Sequence, residues 1–502
     1  MISMLKRTSY SVFCAAALVL AMAAGCKKGT FDINAANPNL PSSVSPQYVL
    51  SASLNASAYA MYNYNLDPCQ FYMGYWAYSG DYGVSSSSLD YNTNNGQYTG
   101  NWDNVYETMA NYKLIQTEST DPINANFGGI ATIMLAFHFG RIVDMYNNIP
   151  FTDALQGGTI NYPAYTDAAT VYTDCIHMLD SGVALIKGAA PTANNPAAYD
   201  IMFQGNMANW ILFGNTVKLK MLLALTQWSG GPALIQSELS GLGASDFLAA
   251  GNDAGVNPTY TNASTAQQNP LWQNVGFNPT NSPYEGNELD RACTYAVNFY
   301  SATNDPRIAL FYLPNSANIV KGRAFGSTNS GAEHNAVISA VGDGILKAPT
   351  QTAYILPAFE SLFLQAEAAQ RGYISGSAAT YFQTAVSESF RLMGVPSPTT
   401  AAATYTAQSD IRVNYTSSSN PLETIILQKW AANNMFDPLE SWNDWRRLGY
   451  PSDLPISVYP GTIATHIPYR VLYPLSESNY NSVNLAAQGS INILTSKIFW
   501  MP

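Results

Sequence analysis

Cys26 carries the plainest chemistry in this chain. It follows the small residues Ala23-Ala24-Gly25, at the end of an apolar run from Val12 to Ala24 that Lys6 and Arg7 precede. A basic start, a short apolar run and a small-residue cleavage site are the parts of a secretion signal. The run is too short for a permanent bilayer span. With cysteine after the cut the pattern is a lipobox, which predicts removal of residues 1–25. The thiol of Cys26 then carries a diacylglycerol and its new amine an acyl chain such as palmitate, which together anchor far more firmly than one chain could.

A second kind of chemistry lies in aromatic rings set among amides. Tyr72, Tyr75, Trp76, Tyr78, Tyr82 and Tyr91 fall close together, with Asn92, Asn94 and Asn95 following. Trp272, Phe277 and Tyr284 form another set with Asn274 and Asn287. Sugars present apolar C–H faces and hydroxyl edges, so flat rings flanked by amides suit them. Trp76 and Trp272 are the first choices for ligand platforms, with Tyr75, Tyr82, Tyr91 and Tyr284 in support. No helical stripe claims either indole, so both are expected to be partly exposed. The competing role for each ring is packing, since aromatics bury large areas whenever they can.

Catalytic arrangements are sparse. His138, His177, His334 and His466 stand far apart with no helix-spaced pair, which argues against a zinc site. There is no Gly-x-Ser-x-Gly elbow and no phosphate-cradling glycine loop. No metal or cofactor is expected, and binding without catalysis is the leading reading. A glycosidase carboxylate pair is defined by separation in space, so a secreted, lipid-anchored glycan hydrolase stays open as the alternative.

Composition narrows the partners. The chain has 33 acidic against 22 basic residues, and cleavage before Cys26 removes two of the bases. Nucleic acid is therefore a poor partner, because its binding rests on Lys and Arg contacts to phosphates. Only 11% of residues are charged while 47% are hydrophobic, which describes a globular body with a large core. Cys69, Cys175 and Cys293 are odd in number and widely spaced, unlike a disulfide framework. Ile130 to Val143 is interrupted by His138 and Arg141, so no second membrane segment is read there.

The elements that must position these residues are mostly helices. Residues 26–45, with Asn37-Pro38-Asn39-Leu40-Pro41, read as an extended tether to a body over 46–502. A first helix is expected from Pro46 to Tyr62 and another from Trp102 to Thr117. Ile130, Ile133, Met134 and Phe137 make a helical stripe, as do Val171, Cys175, Met178, Leu179 and Leu185; Ile211 to Trp228 is a further helix. Phe359, Leu362, Phe363, Ala366 and Ala369 face a partner stripe of Phe382, Ala385, Val386 and Ser389 across the turn at Gly372. That pairing looks like a tetratricopeptide-type hairpin, and Leu422, Ile425, Ile426 and Trp430 open a last helical section. Two long irregular excursions, 63–100 and 229–352, interrupt the helices; loops of that length are usually functional.

Two late motifs carry a family resemblance. Trp442-Asn443-Asp444-Trp445-Arg446-Arg447-Leu448-Gly449-Tyr450-Pro451 is followed by Ile467-Pro468-Tyr469-Arg470-Val471-Leu472-Tyr473-Pro474, and Phe31-Asp32-Ile33-Asn34 with Asn37-Pro38-Asn39 stands near the start. Together they resemble the SusD/RagB family of Bacteroidetes outer-membrane lipoproteins, from end to end of the mature chain. The resemblance implies a mainly α fold of four tetratricopeptide-like units carrying an irregular ligand-binding part. It also implies an outer-membrane, cell-surface location, capture of an oligosaccharide or other nutrient, and delivery to a SusC-like TonB-dependent transporter. Surface-exported relatives often carry an acidic cluster after the cysteine, whereas Lys27-Lys28-Gly29-Thr30 stand here. On physical grounds the first motif is a packing device: Trp442 and Trp445 share a helix face, and Arg446 and Arg447 are within reach of Glu440 or Asp444.

Overall fold

The apolar stripes become paired helices in the computed structural model, which describes residues 45–329 and 331–502. The signal segment, Cys26 and the tether up to residue 44 lie outside the described residues. The first half holds α1 (Pro46–Tyr64), α2 (Asp103–Glu118), α3 (Ala125–Tyr146), α4 (Ala168–Lys187) and α5 (Met207–Ala224). In the second excursion stand α6 (Gly231–Glu238) and α7 (Thr294–Ala302). The second half holds α8 (Ala358–Gln370), α9 (Ala378–Met393), α10 (Pro398–Thr406), α11 (Pro421–Asn433) and α12 (Pro438–Leu448). Neighbours in sequence pack on one another: α1 on α2, α2 on α3, α3 on α4, α8 on α9 and α11 on α12. The expected helical hairpins are present.

Local chemistry explains where the helices begin and stop. Asp167, Asn206, Ser377, Asn420 and Asp437 each accept a backbone N–H from the first turn of α4, α5, α9, α11 and α12. Gly394 and Gly449 end α9 and α12 in the left-handed region. α3 is long and apolar enough to cross a membrane by composition, but it is buried along its length and forms the centre of the first half. Its crossing with α4 depends on small residues. A Cβ on Gly129 would lie 2.6 Å from Ile186 Cγ1, and one on Gly182 would lie 2.7 Å from Ile133 Cγ1. The α4 stripe therefore runs through Val171, Cys175, Leu179, Val183 and Ile186, while the expected Leu185 is 44% exposed. Cys69, Cys175 and Cys293 are buried and free.

Strands are short and join distant segments. β1 (Trp76–Tyr78), β2 (Ile149–Pro150), β3 (Tyr165–Thr166), β4 (Ala254–Val256), β5 (Asp290–Ala292) and β6 (Ala353–Leu356) form three antiparallel pairs, β1 with β5, β2 with β3 and β4 with β6. The first pair matters most. It sets Trp76 opposite Ala292 and Tyr78 opposite Asp290, and so ties the two excursions together.

A buried charge network links the two halves. Asp437 receives Arg141 at 2.8 Å and Lys220 at 2.7 Å, while Lys220 also reaches Glu360 at 2.6 Å. Lys429 pairs with Glu440 and Asp444, and Arg447 with Asp444 and Glu367. Arg447 thus finds Asp444 as the spacing allows. Arg446 does not pair with Glu440 or Asp444; its guanidinium lies 3.9 Å over the Trp442 ring and 5.0 Å from that of Trp500, and donates to the carbonyls of Asp144 and Tyr469. Trp442 is fully buried and donates to the Pro468 carbonyl, so the two late motifs close on each other.

Candidate ligand-binding site

The late motifs hold the first excursion in place. Tyr72 packs edge-on against Trp442, and Tyr75 stacks on Trp430 while its hydroxyl reaches the Trp430 carbonyl and Ser441 Oγ. From there Phe71 stacks on Tyr78 with centroids 4.2 Å apart, and Phe325 of the second excursion joins them. Tyr91 packs on Tyr72 and Phe325, and its hydroxyl accepts the Ser457 N–H at 2.9 Å. These rings are a scaffold. Trp76 is 1% exposed, Tyr75 0% and Tyr91 4%, so none of the three can offer a face to ligand. The expected exposure of Trp76 is corrected: β1 carries its indole inward, where it packs on Phe71.

Above this scaffold the two excursions enclose a pocket of about 190 Å³. Tyr78, Ser79, Gly80 and Tyr82 form one wall, and Arg323, Gly326, Ser327 and Thr328 the other. Tyr459, from the segment between the two late motifs, closes the end. Gly326 is required there: its φ is +82°, and a Cβ would sit 1.9 Å from Ser457 Oγ. Tyr82 is 43% exposed, and its hydroxyl donates to Glu288 Oε2. That bond, and then burial, raise the Tyr82 phenol above its ordinary pKa.

The polar frame is closed on itself. Arg323, 6% exposed, donates through Nε to Glu333 at 2.8 Å, through Nη1 to the Tyr78 carbonyl and through Nη2 to the Ser327 carbonyl. Ser79 Oγ donates to Asn335 Oδ1, and the Asn335 N–H donates to Asp81. Behind this frame Asp290 is held well above the ordinary carboxylate range, burial being the main cause and Asp67 adding to it. Burial lowers Arg291, against the pull of Asp290.

The second aromatic set sits beyond the short helix Glu285–Leu289, whose Glu288 holds Tyr82. Trp272 is half-buried, packs on Phe277 and donates to the Phe277 carbonyl at 2.8 Å. Tyr284, also half-buried, donates to Gln268 Oε1. Tyr284 directly precedes this helix, and Glu288 near its end holds Tyr82. Sequence reasoning missed Arg323, Ser327 and Tyr459, since an isolated Arg in Lys321-Gly322-Arg323 and a Tyr between prolines carry no local signal. Among the openings that lie apart from residues 63–100 are two of different character. One is an apolar cavity of about 90 Å³ among Met61, Leu271, Ile345 and Phe436; the other is a groove of about 500 Å³ along Trp102, Tyr106 and Tyr480. Among the described residues no three His, Cys, Asp or Glu side chains converge as a metal site.

Comparison with known proteins agrees with this architecture. Residues 38–474 match the SusD-like family described as starch-binding and associating with the outer membrane, and the chain belongs to that family. A chitin-binding SusD homologue from Flavobacterium johnsoniae superposes with a TM-score of 0.75 at 22% identity, covering 91% of this chain and 98% of its own. A SusD homologue from Bacteroides uniformis gives 0.75 at 20% identity, with 91% and 99% covered, and one from Bacteroides fragilis 0.73 at 19%, with 91% and 99%. At such identities the likeness establishes the fold. No curated protein matches the chain.

Proposed function

We propose that this protein is a nutrient-binding lipoprotein that captures a glycan at the junction of its two excursions. The observation that carries this reading is the pocket itself: exposed Tyr82 and the hydroxyls of Ser79, Ser327, Thr328 and Tyr459 line it, and buried rings hold its walls. The family's description as starch-binding and the chitin-binding name of one structural neighbour support a glycan. Cys26 anchors the chain in the outer membrane at the cell surface, and the ligand passes to a SusC-like TonB-dependent transporter.

Purified protein incubated with starch, chitin and other polysaccharides tests the reading. Retention of one of them without new reducing ends is expected, whereas release of product would establish the hydrolase alternative. Tyr82→Ala and Trp272→Ala should each weaken binding by about 1–3 kcal/mol, as for stacked planar groups, with the melting temperature unchanged. A large fall in melting temperature with affinity intact would reassign these rings to the scaffold. Cys26→Ala should abolish labelling by a fatty-acid analogue, and an affinity pull-down in mild detergent should recover an outer-membrane transporter; persistent labelling, or recovery of the chain alone, would count against these parts.

A further inference from the structure

We infer that the groove along the start of α2 is a second glycan site, which takes a neutral oligosaccharide; this rests on the glycan-binding reading above. The groove holds about 500 Å³ between α2 and the short helix Leu475–Tyr480. Trp102 lines it from below. The ring is 3% exposed and is fixed edge-on against Tyr146 and Tyr473. An indole N–H can only donate, and a donor so nearly buried normally has a partner. That of Trp102 meets no acceptor among the described residues, yet it is not sealed in the interior, and the groove gives it a path to solvent. It is a fixed donor left for an oxygen that the protein does not supply.

The other lining residues complete what a sugar ring needs. Tyr480, 74% exposed, offers a flat face at the rim. Asp103 and Glu107 stand one turn apart on α2, and Glu477 lines the groove from the short helix. Asp103 takes the Ser476 hydroxyl at 2.6 Å and Glu477 the Tyr165 hydroxyl at 2.7 Å, so each carboxylate keeps acceptor sites for sugar hydroxyls. These carboxylates do not converge as a metal site, and no Lys, Arg or His among the described residues lines the groove to receive an acidic sugar. The same helix is tied to the first excursion, since the Asn95 carbonyl accepts the Leu475 N–H at 2.7 Å and its amide donates to Ser478 Oγ. A polymer long enough to reach both this groove and the pocket at Tyr82 would be retained more firmly than by either alone.

Titration of the full chain, its indole nitrogens isotope-labelled for magnetic resonance, with maltohexaose and with the N-acetylglucosamine hexamer tests the groove. One hexamer should shift the Trp102 indole N–H resonance until it saturates. Tyr480→Ala and Glu107→Ala, both at exposed positions, should keep the melting temperature. Tyr480→Ala should raise the dissociation constant read from that resonance about fivefold or more, as for loss of a stacking platform, and Glu107→Ala should raise it too. Binding of a hexamer, starch or chitin with the Trp102 resonance unmoved overturns the groove and leaves the reading above standing. So does a Trp102 shift that is lost in Tyr82→Ala but indifferent to Tyr480→Ala, because it is then transmitted from the first pocket. A lysine hexapeptide that moves the resonance when neither hexamer does overturns a sugar in favour of a cationic ligand. Failure of both hexamers together with starch and chitin overturns both readings.

Discussion

Asp437 is the residue on which the two helical halves depend most directly, and replacing it with Asn isolates its charge. The carboxylate accepts two parallel bonds from Arg141, at 2.8 and 2.9 Å, and one from Lys220 at 2.7 Å, and also caps α12 by accepting the Glu440 N–H at 3.2 Å. Asn caps a helix about as well as Asp and has nearly the same volume. Asp437→Asn therefore keeps the shape and cap while leaving Arg141 and Lys220 without their shared anion. Lys220 retains Glu360 at 2.6 Å and Glu440 at 3.4 Å, so it is partly compensated; Arg141 loses its bidentate carboxylate. Breaking a buried pair by removing one partner costs roughly 3–5 kcal/mol, a large part of a typical net stability of about 5–15 kcal/mol. Urea denaturation followed by circular dichroism should show that loss as a lower midpoint at unchanged slope, with Asp437→Ala lower still by about 1 kcal/mol for the missing cap. Burial works to raise the Asp437 pKa, but Arg141 and Lys220 outweigh it and hold the group well below the ordinary carboxylate range. A depressed acid contributes stability above its unfolded pKa and loses it as pH falls through the folded one. The difference between wild type and Asp437→Asn should thus be constant from pH 8 down to about 5 and shrink only in stronger acid. A variant within about 1 kcal/mol of wild type at neutral pH would refute the view that this ion cluster ties the halves together.

Two further outcomes follow from burial. Trp76→Ala should cost about 3–5 kcal/mol of stability, as for truncation of a buried aromatic, measured by thermal or urea unfolding; an unchanged melt with weakened ligand binding would return the indole to the site. Burial, and then Arg141, lower the His138 pKa to about 3, and Ser57 Oγ lies 2.8 Å from its Nε2. Below the unfolded value the denatured chain binds a proton that the native one refuses, so stability is lost as pH falls from about 6.5 toward 3. His138→Gln should flatten that slope by up to about 1.4 kcal/mol per pH unit, and parallel slopes would contradict the assignment.

The helices were legible because their burial is periodic along the chain, and the one stripe misread shows the limit of that signal. Leu185 and Ile186 both extend the α4 stripe on paper, and the choice of Ile186 was made by Gly129 on another helix. The same limit, on a larger scale, explains the reassigned aromatics. Residues around Trp76 are Tyr, Gly, Ser and Asn, a composition that reads as exposed loop. Yet β1 pairs with β5 far along the chain, and that pairing turns Trp76 inward, while Tyr82, beyond the strand, stays at the rim. Nothing local distinguishes the two rings, since the partner strand decides which faces the core. Charge was harder still. The composition speaks of few ions on a polar surface, whereas Arg141, Lys220, Glu360, Lys429, Asp437 and Arg447 are all buried and paired with residues from other helices. The motif that revealed the family lies in that interior: Trp442, Arg446 and Arg447 touch no part of the pocket, but Trp442, covered by Arg446, packs on Tyr72 among the rings on which its first wall rests. A motif that marks a fold can thus be silent on its surface, and the residues that line the pocket are the ones with no motif at all.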